Sequence, residues 1–399
     1  MTKNIAVLFT ILFLVSAISV TASALTPQEE LGKALFFDAN LSVNYNQSCA
    51  TCHGPEAGWT GPEPVINAHG SVYEGSIPGA FGDRKPPSAA YATQSPILHV
   101  DKKGLFIGGN FWDGRATGEI LGSPAAEQAK GPFLNPVEQA LPSPAELVAR
   151  VCAASYGDLF RQVWGDEACD SANVAMAYDN IGYSIAAYES SPEVNAFTSK
   201  YDYSHVYMAT LTKQERKGFS LFQSKGKCSK CHISTGSAPL FTDYTFDNLG
   251  LPKNPENPVY VSNPSFIDPG LGGFLASRID YAAFAEANNG KHKVPTARNV
   301  AKGSCETEPV NPSCIVKAFG HNGYFKSLAG IVHFYNTRDV KPVCPGDYTE
   351  AEALAANCWP APEVAANVNT AELGDLGLTP DEEAAIVAFL GTLSDGYMP

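Results

Sequence analysis

Charge is scarce in this chain, and positive charge scarcer: 17% of its 399 residues are charged, with 27 Lys and Arg against 41 Asp and Glu, for a formal net charge of -14. Such a balance excludes a nucleic-acid or anionic-membrane surface as the main partner; it suits either a basic protein partner or an ordinary solvated surface. Beyond the first 24 residues no apolar run reaches spanning length, so no membrane span is expected there. The 44% hydrophobic content at this length excludes disorder as the dominant state and predicts two or three compact domains.

The first 24 residues differ from the rest. Lys3 precedes an apolar stretch from Ile5 to Val20, and Ala22-Ser23-Ala24 forms a small-x-small cleavage site. The pattern reads as a secretory signal; a membrane anchor is the alternative, but Ser16 and Ser19 interrupt the stretch and it is short for a span. The expected location of the mature chain is the periplasm or another exported setting, where thiols oxidise.

Ten cysteines divide by spacing. Four lie in two Cys-x-x-Cys-His pentads, Cys49-Ala50-Thr51-Cys52-His53 and Cys228-Ser229-Lys230-Cys231-His232. On a helical turn, positions i, i+3 and i+4 share a face, so two thiols can bond the vinyl groups of a haem while the imidazole reaches its iron. Two copies are a strong signal for covalent attachment of two c-type haems. A thioredoxin-like pair gives the histidines no purpose, and a zinc site built from both pairs leaves His53 and His232 unexplained. The other six, Cys152, Cys169, Cys305, Cys314, Cys344 and Cys358, permit 15 connectivities; short loops favour pairing each with its sequence neighbour.

The stretches before the pentads look alike. Pro27 to Phe37 is matched with Thr212 to Phe222, both amphipathic with acidic first turns, and later helices are expected over Ser171 to Glu189 and Thr379 to Leu393. Loops rich in Gly, Pro, Asn and Ser (Gly54 to Ser95, Pro239 to Gly273) lie between. The expected fold is mainly α: two cytochrome c-like haem domains, residues 25–204 and 205–399, with long loops and little strand.

With these motifs the chain resembles the bacterial dihaem cytochrome c peroxidase superfamily, and within it the MauG-like branch, being similar to methanobactin-associated MauG-like enzymes. The segments that carry the likeness include Phe111-Trp112-Asp113-Gly114-Arg115, Gln128-Ala129-Lys130-Gly131-Pro132, Asn135-Pro136-Val137-Glu138, Val294 to Asn299 and His321-Asn322-Gly323. The resemblance implies that the first haem reacts with hydrogen peroxide to form high-valent iron, that the second is an electron reservoir, and that an external protein donor, typically through a tryptophan side chain, is oxidised at long range.

Position by position, the resemblance makes His53 and His232 the proximal iron ligands, Trp112 the relay between haems, and Glu138 the distal carboxylate, with Gln128 and Pro132 beside it. From residues alone, Trp112 could equally pack in a core and Glu138 be solvated. A carboxylate near bound peroxide has a chemical purpose, because one oxygen must lose a proton and the other gain one before the bond breaks heterolytically. Tyr335, in Val332-His333-Phe334-Tyr335-Asn336, falls where ordinary dihaem peroxidases carry methionine; a phenolate there favours oxidised iron. The alternatives are a packed tyrosine, or ligation by His333, Met176, Met208 or Met398.

Two departures count. Family members hold a calcium ion between the haems with an asparagine in an Arg-Asn-x-Pro-Ser segment and carbonyls of a Thr-x-Pro segment, where this chain reads Arg84-Lys85-Pro86-Pro87-Ser88 and Val316-Lys317-Ala318. A lysine at 85 could replace the calcium electrostatically. His69 falls in the loop where ordinary peroxidases carry a switchable histidine, and is expected to face solvent rather than cap the first iron. The rival functions are peroxide detoxification with a small redox-protein donor, and a non-catalytic electron-transfer cytochrome.

Overall fold

The first helix, α1 (Pro27–Phe37), opens with a capping box in which Thr26 and Glu29 bond each other's backbone, and Pro27 needs no donor at its first position. In the second half α5 (Lys213–Gln223) repeats this with Thr212 and Glu215. The equivalence is therefore Thr26 with Thr212, one residue off the match of Pro27 with Thr212 expected from sequence. The corrected register aligns Gly32 with Gly218, and those glycines carry the repeat. Gly32 lies against α4 (Val174–Ser190), where an added Cβ would stand 1.9 Å from the Ser184 carbonyl oxygen; Gly218 lies against α7 (Pro380–Gly391), where it would stand 1.8 Å from that of Ala385. Each half is thus a crossed pair of helices that meet backbone to backbone at a glycine.

This computed structural model describes residues 24–307 and 313–399. The expected export signal lies, but for Ala24, outside them. The helix expected over Ser171 to Glu189 begins as a 3-10 turn at Ser171–Asn173 before α4, and Thr379 caps α7 with Glu382. Ahead of α4, α2 (Cys49–Cys52) holds the first pentad and α3 (Pro124–Leu134) follows it; α6 (Leu328–Thr337) lies in the second half. Among the described residues, strand is confined to two-residue pieces: β1 (His99–Val100) with β2 (Phe106–Ile107), and β3 (Phe246–Asp247) with β4 (His292–Lys293), both antiparallel. The mainly helical expectation holds.

Apolar side chains gather into two principal cores. One joins Leu31, Leu35 and Phe36 of α1 to Ile181, Ile185 and Tyr188 of α4. The other joins Phe222 of α5, Phe334 of α6 and Ile386 and Phe389 of α7. The chain passes from one to the other between Val194 and Tyr201. Disulfides join Cys152 to Cys169, Cys305 to Cys314 and Cys344 to Cys358, the neighbouring couples expected. Closing a loop of this size removes about 3 kcal/mol of unfolded-chain entropy. The four cysteines left as thiols are those of the pentads. No helix of the described residues is long and apolar enough to cross a membrane.

Candidate active site

Each pentad closes one helical turn around its thiols. His53 N–H donates to the Cys49 carbonyl and His232 N–H to that of Cys228, both at 2.9 Å; the first turn is α2, the second a 3-10 turn over Cys228–Lys230. Each imidazole engages a second carbonyl through Nδ1, His53 with Trp59 O at 3.2 Å and His232 with Phe241 O at 2.8 Å. That fixes ring orientation and makes Nε2 the nitrogen available to iron. Burial holds both rings neutral, the form that binds metal: His53 is pushed down to about 4 and His232 is lowered. Burial also pushes the Cys49 and Cys228 thiols up to about 12.

Cys49, Cys52 and His53 face a cavity of about 150 Å³, and Cys228, Cys231 and His232 one of about 230 Å³. Glu138, Gln128 and Pro132 line the first. Gln128 and Pro132 are four residues apart on α3 and so share a face, while Asn135, just past the helix, donates from Nδ2 to Glu138 Oε2 at 2.8 Å. Burial raises the Glu138 carboxyl above its ordinary range, with the Asn135 bond opposing. The sequence-predicted distal group is therefore brought together.

Tyr335 lines the second cavity from α6. Burial, then the neighbouring thiols, raise its phenol well above the ordinary value. Its sequence rivals lie elsewhere: His333 is bonded through Nδ1 to Glu383 at 3.0 Å, and Met176, Met208 and Met398 are exposed. His69 faces solvent, with Nδ1 on Glu256 at 2.9 Å. Trp112 lines both cavities and is held from both halves: Nε1 donates to Lys85 O at 2.7 Å, and its carbonyl accepts from Lys293 N–H at 2.8 Å.

Residues 26–207 match the family model of di-haem cytochrome c peroxidase. Over 377 residues, 92% of this chain and 88% of the other, the sequence is 34% identical to the methylamine utilization protein MauG of Paracoccus denitrificans. This chain belongs to the di-haem cytochrome c peroxidase family. The peroxidase is also 32% identical over 243 residues to the cytochrome c551 peroxidase of Pseudomonas aeruginosa, covering 59% of this chain and 57% of that one. Its fold matches the crystal structure of the diheme peroxidase BthA from Burkholderia thailandensis E264 with a TM-score of 0.74 and 29% identity, over 94% of this chain and 90% of that one.

The residues present fit two haems. Besides the pentads, the second cavity is lined by His292 and His321, whose rings stack at 3.5 Å and 6°; neither Nε2, nor His321 Nδ1, has a protein hydrogen bond. Asp268 stands 3.2 Å from His292 Nε2, but Arg84 takes both its oxygens, and parallel rings do not converge their lone pairs on one ion. His321 Nε2 stands 3.7 Å from Glu363, so these buried imidazoles face acidic side chains on the wall of that cavity. Sequence reasoning gave neither a role, although His321 stands in a segment that carries the likeness, and missed Glu189 of α4, which lines the first cavity and which burial pushes up to about 8. A glutamate four residues after Ile185 on the buried face of a helix was the available signal.

Proposed function

We propose that this di-haem peroxidase works in the MauG manner: it takes hydrogen peroxide in the first cavity and withdraws electrons from an external protein, through a tryptophan side chain, by way of the second. Bound haem would supply bond cleavage and electron storage, with His53 and His232 as ligands and the four pentad thiols as covalent anchors. Glu138 then moves a proton between the peroxide oxygens, while Gln128 and Pro132 shape the space in front of it. Trp112 connects the cavities, and Tyr335 closes the second with a hard oxygen. The observation that supports this most is that, of Tyr335, His333, Met176, Met208 and Met398, only Tyr335 lines the second cavity. The three disulfides support export to an oxidising compartment such as the periplasm.

The test is to mix ferric holoenzyme with stoichiometric peroxide, follow the haem spectrum, then add proteins of the same compartment. A long-lived doubly oxidised state discharged by a protein is the expected result. Immediate reduction by a small cytochrome or copper protein alone would favour detoxification, the reading to which the likeness to cytochrome c551 peroxidase lends support.

A further inference from the structure

The calcium ion that the resemblance implies has a definite address: position 85, and the carbonyls of the 316–318 segment. The residues do not fit it: a buried lysine replaces the asparagine at 85, and the Val316 carbonyl already accepts from Asn67 Nδ2 at 3.0 Å. Lys317, 3% exposed, donates from Nζ to three backbone carbonyls: Ala57 O at 2.7 Å, Lys302 O at 3.0 Å and Asn299 O at 3.1 Å. Lys85, 7% exposed, donates to Thr60 Oγ1 at 2.7 Å and Pro86 O at 3.0 Å. Three acceptors around one nitrogen call for three N–H groups, which only the protonated amine has. Carbonyl oxygens turned toward one point are how a hard cation is bound. Here the cation is a side chain, and a divalent ion brought beside it would meet like charge.

We infer that Lys317 is a tethered cation that replaces the calcium ion and clamps the two halves of the molecule together, while Lys85 holds Thr60 and Pro86 within the first half. Ala57 belongs to the loop behind the first pentad, whereas Asn299 and Lys302 belong to the second half. Two residues beyond Ala57, the Trp59 carbonyl takes His53 Nδ1, and the Lys85 carbonyl takes Trp112 Nε1. Both lysines line the second cavity and Lys85 lines the first as well. They are positioning residues: they fix the loop that orients His53 and the tryptophan between the cavities. The charge on Lys317 also favours the reduced state of both irons. The inference rests on the haem sites proposed above and is independent of the donor.

The experiment uses dialysed holoenzyme. Elemental analysis is expected to return iron but less than about a tenth of an equivalent of calcium or any other divalent ion, with the ferric spectrum and both midpoint potentials unmoved by EGTA. One equivalent of calcium per chain, or a chelator-induced change in spectrum or potential, overturns the inference, and this arm needs no variant to fold. Lys317→Met is expected to lower both midpoint potentials and to speed amide exchange of residues 57–60 by about tenfold. A Met variant that matches the parent in both readouts overturns it too. Haemochrome quantitation of the same preparations reports on haem attachment separately.

Discussion

At Glu138, burial and the Asn135 hydrogen bond pull in opposite directions, and burial prevails. A proton acceptor works as the carboxylate, so with its carboxyl raised the peroxide reaction should slow as pH falls through that raised value. Glu138→Gln should lose about 10²–10⁴-fold in the rate of reaction with peroxide, measured by stopped flow, and show no such limb. Glu189 makes a different demand. Its ordinary value is 4.5 and the folded value about 8, so between these the folded chain binds more protons and stability falls as pH rises from 4.5 to 8. Glu189→Gln should flatten that fall and gain a few kcal/mol at pH 8, read from denaturant midpoints across pH; an unchanged slope would show that Glu189 is not buried as a neutral acid. The pentads were legible in sequence because covalent attachment enforces a spacing. Lys317 and His321 were read only as members of matched segments, and Glu189 and His292 were given no role, since their burial depends on loops that wrap back from far along the chain.

Among elements, the crossings of α1 with α4 and of α5 with α7 decide whether each half can close. Helix propensity would favour alanine over glycine at both crossings by about 1 kcal/mol. The contact overrides it: a methyl group at 32 or 218 would meet a carbonyl oxygen below 2 Å, so one helix must shift. Gly32→Ala and Gly218→Ala should each cost about 3 kcal/mol, visible as a lowered thermal midpoint, whereas Gly122→Ala, with nothing within 4 Å of its added Cβ, tests only backbone conformation. Helix positions were readable from capping residues and apolar spacing. The register between the halves was misread by one residue, because Pro27 and Thr212 both signal a helix start while only Thr212 is itself a cap. The glycine pair fixes that register, and its meaning appears only when the partner helices are in place.

For the whole molecule, two similar halves differ in what lines each cavity besides its histidine: a carboxyl and an amide in the first, a phenol in the second. Trp112 lines both, its side chain bonded from the first half and its backbone from the second. Trp112→Phe should leave haem content and the reaction with peroxide intact while slowing oxidation of the donor, checked by double-mixing kinetics; equal slowing of both steps would contradict a relay role. The two-haem organisation was legible from ten residues of sequence, but the shared wall was not, since Lys85 and Pro87 of one loop and Trp112 of another line both cavities. The most direct measurement is low-temperature EPR with near-infrared absorption on the ferric holoenzyme. The account predicts one iron with an open face and one ligated by histidine and tyrosine. A methionine-to-iron charge-transfer band, or two irons both fully ligated by protein, would contradict it.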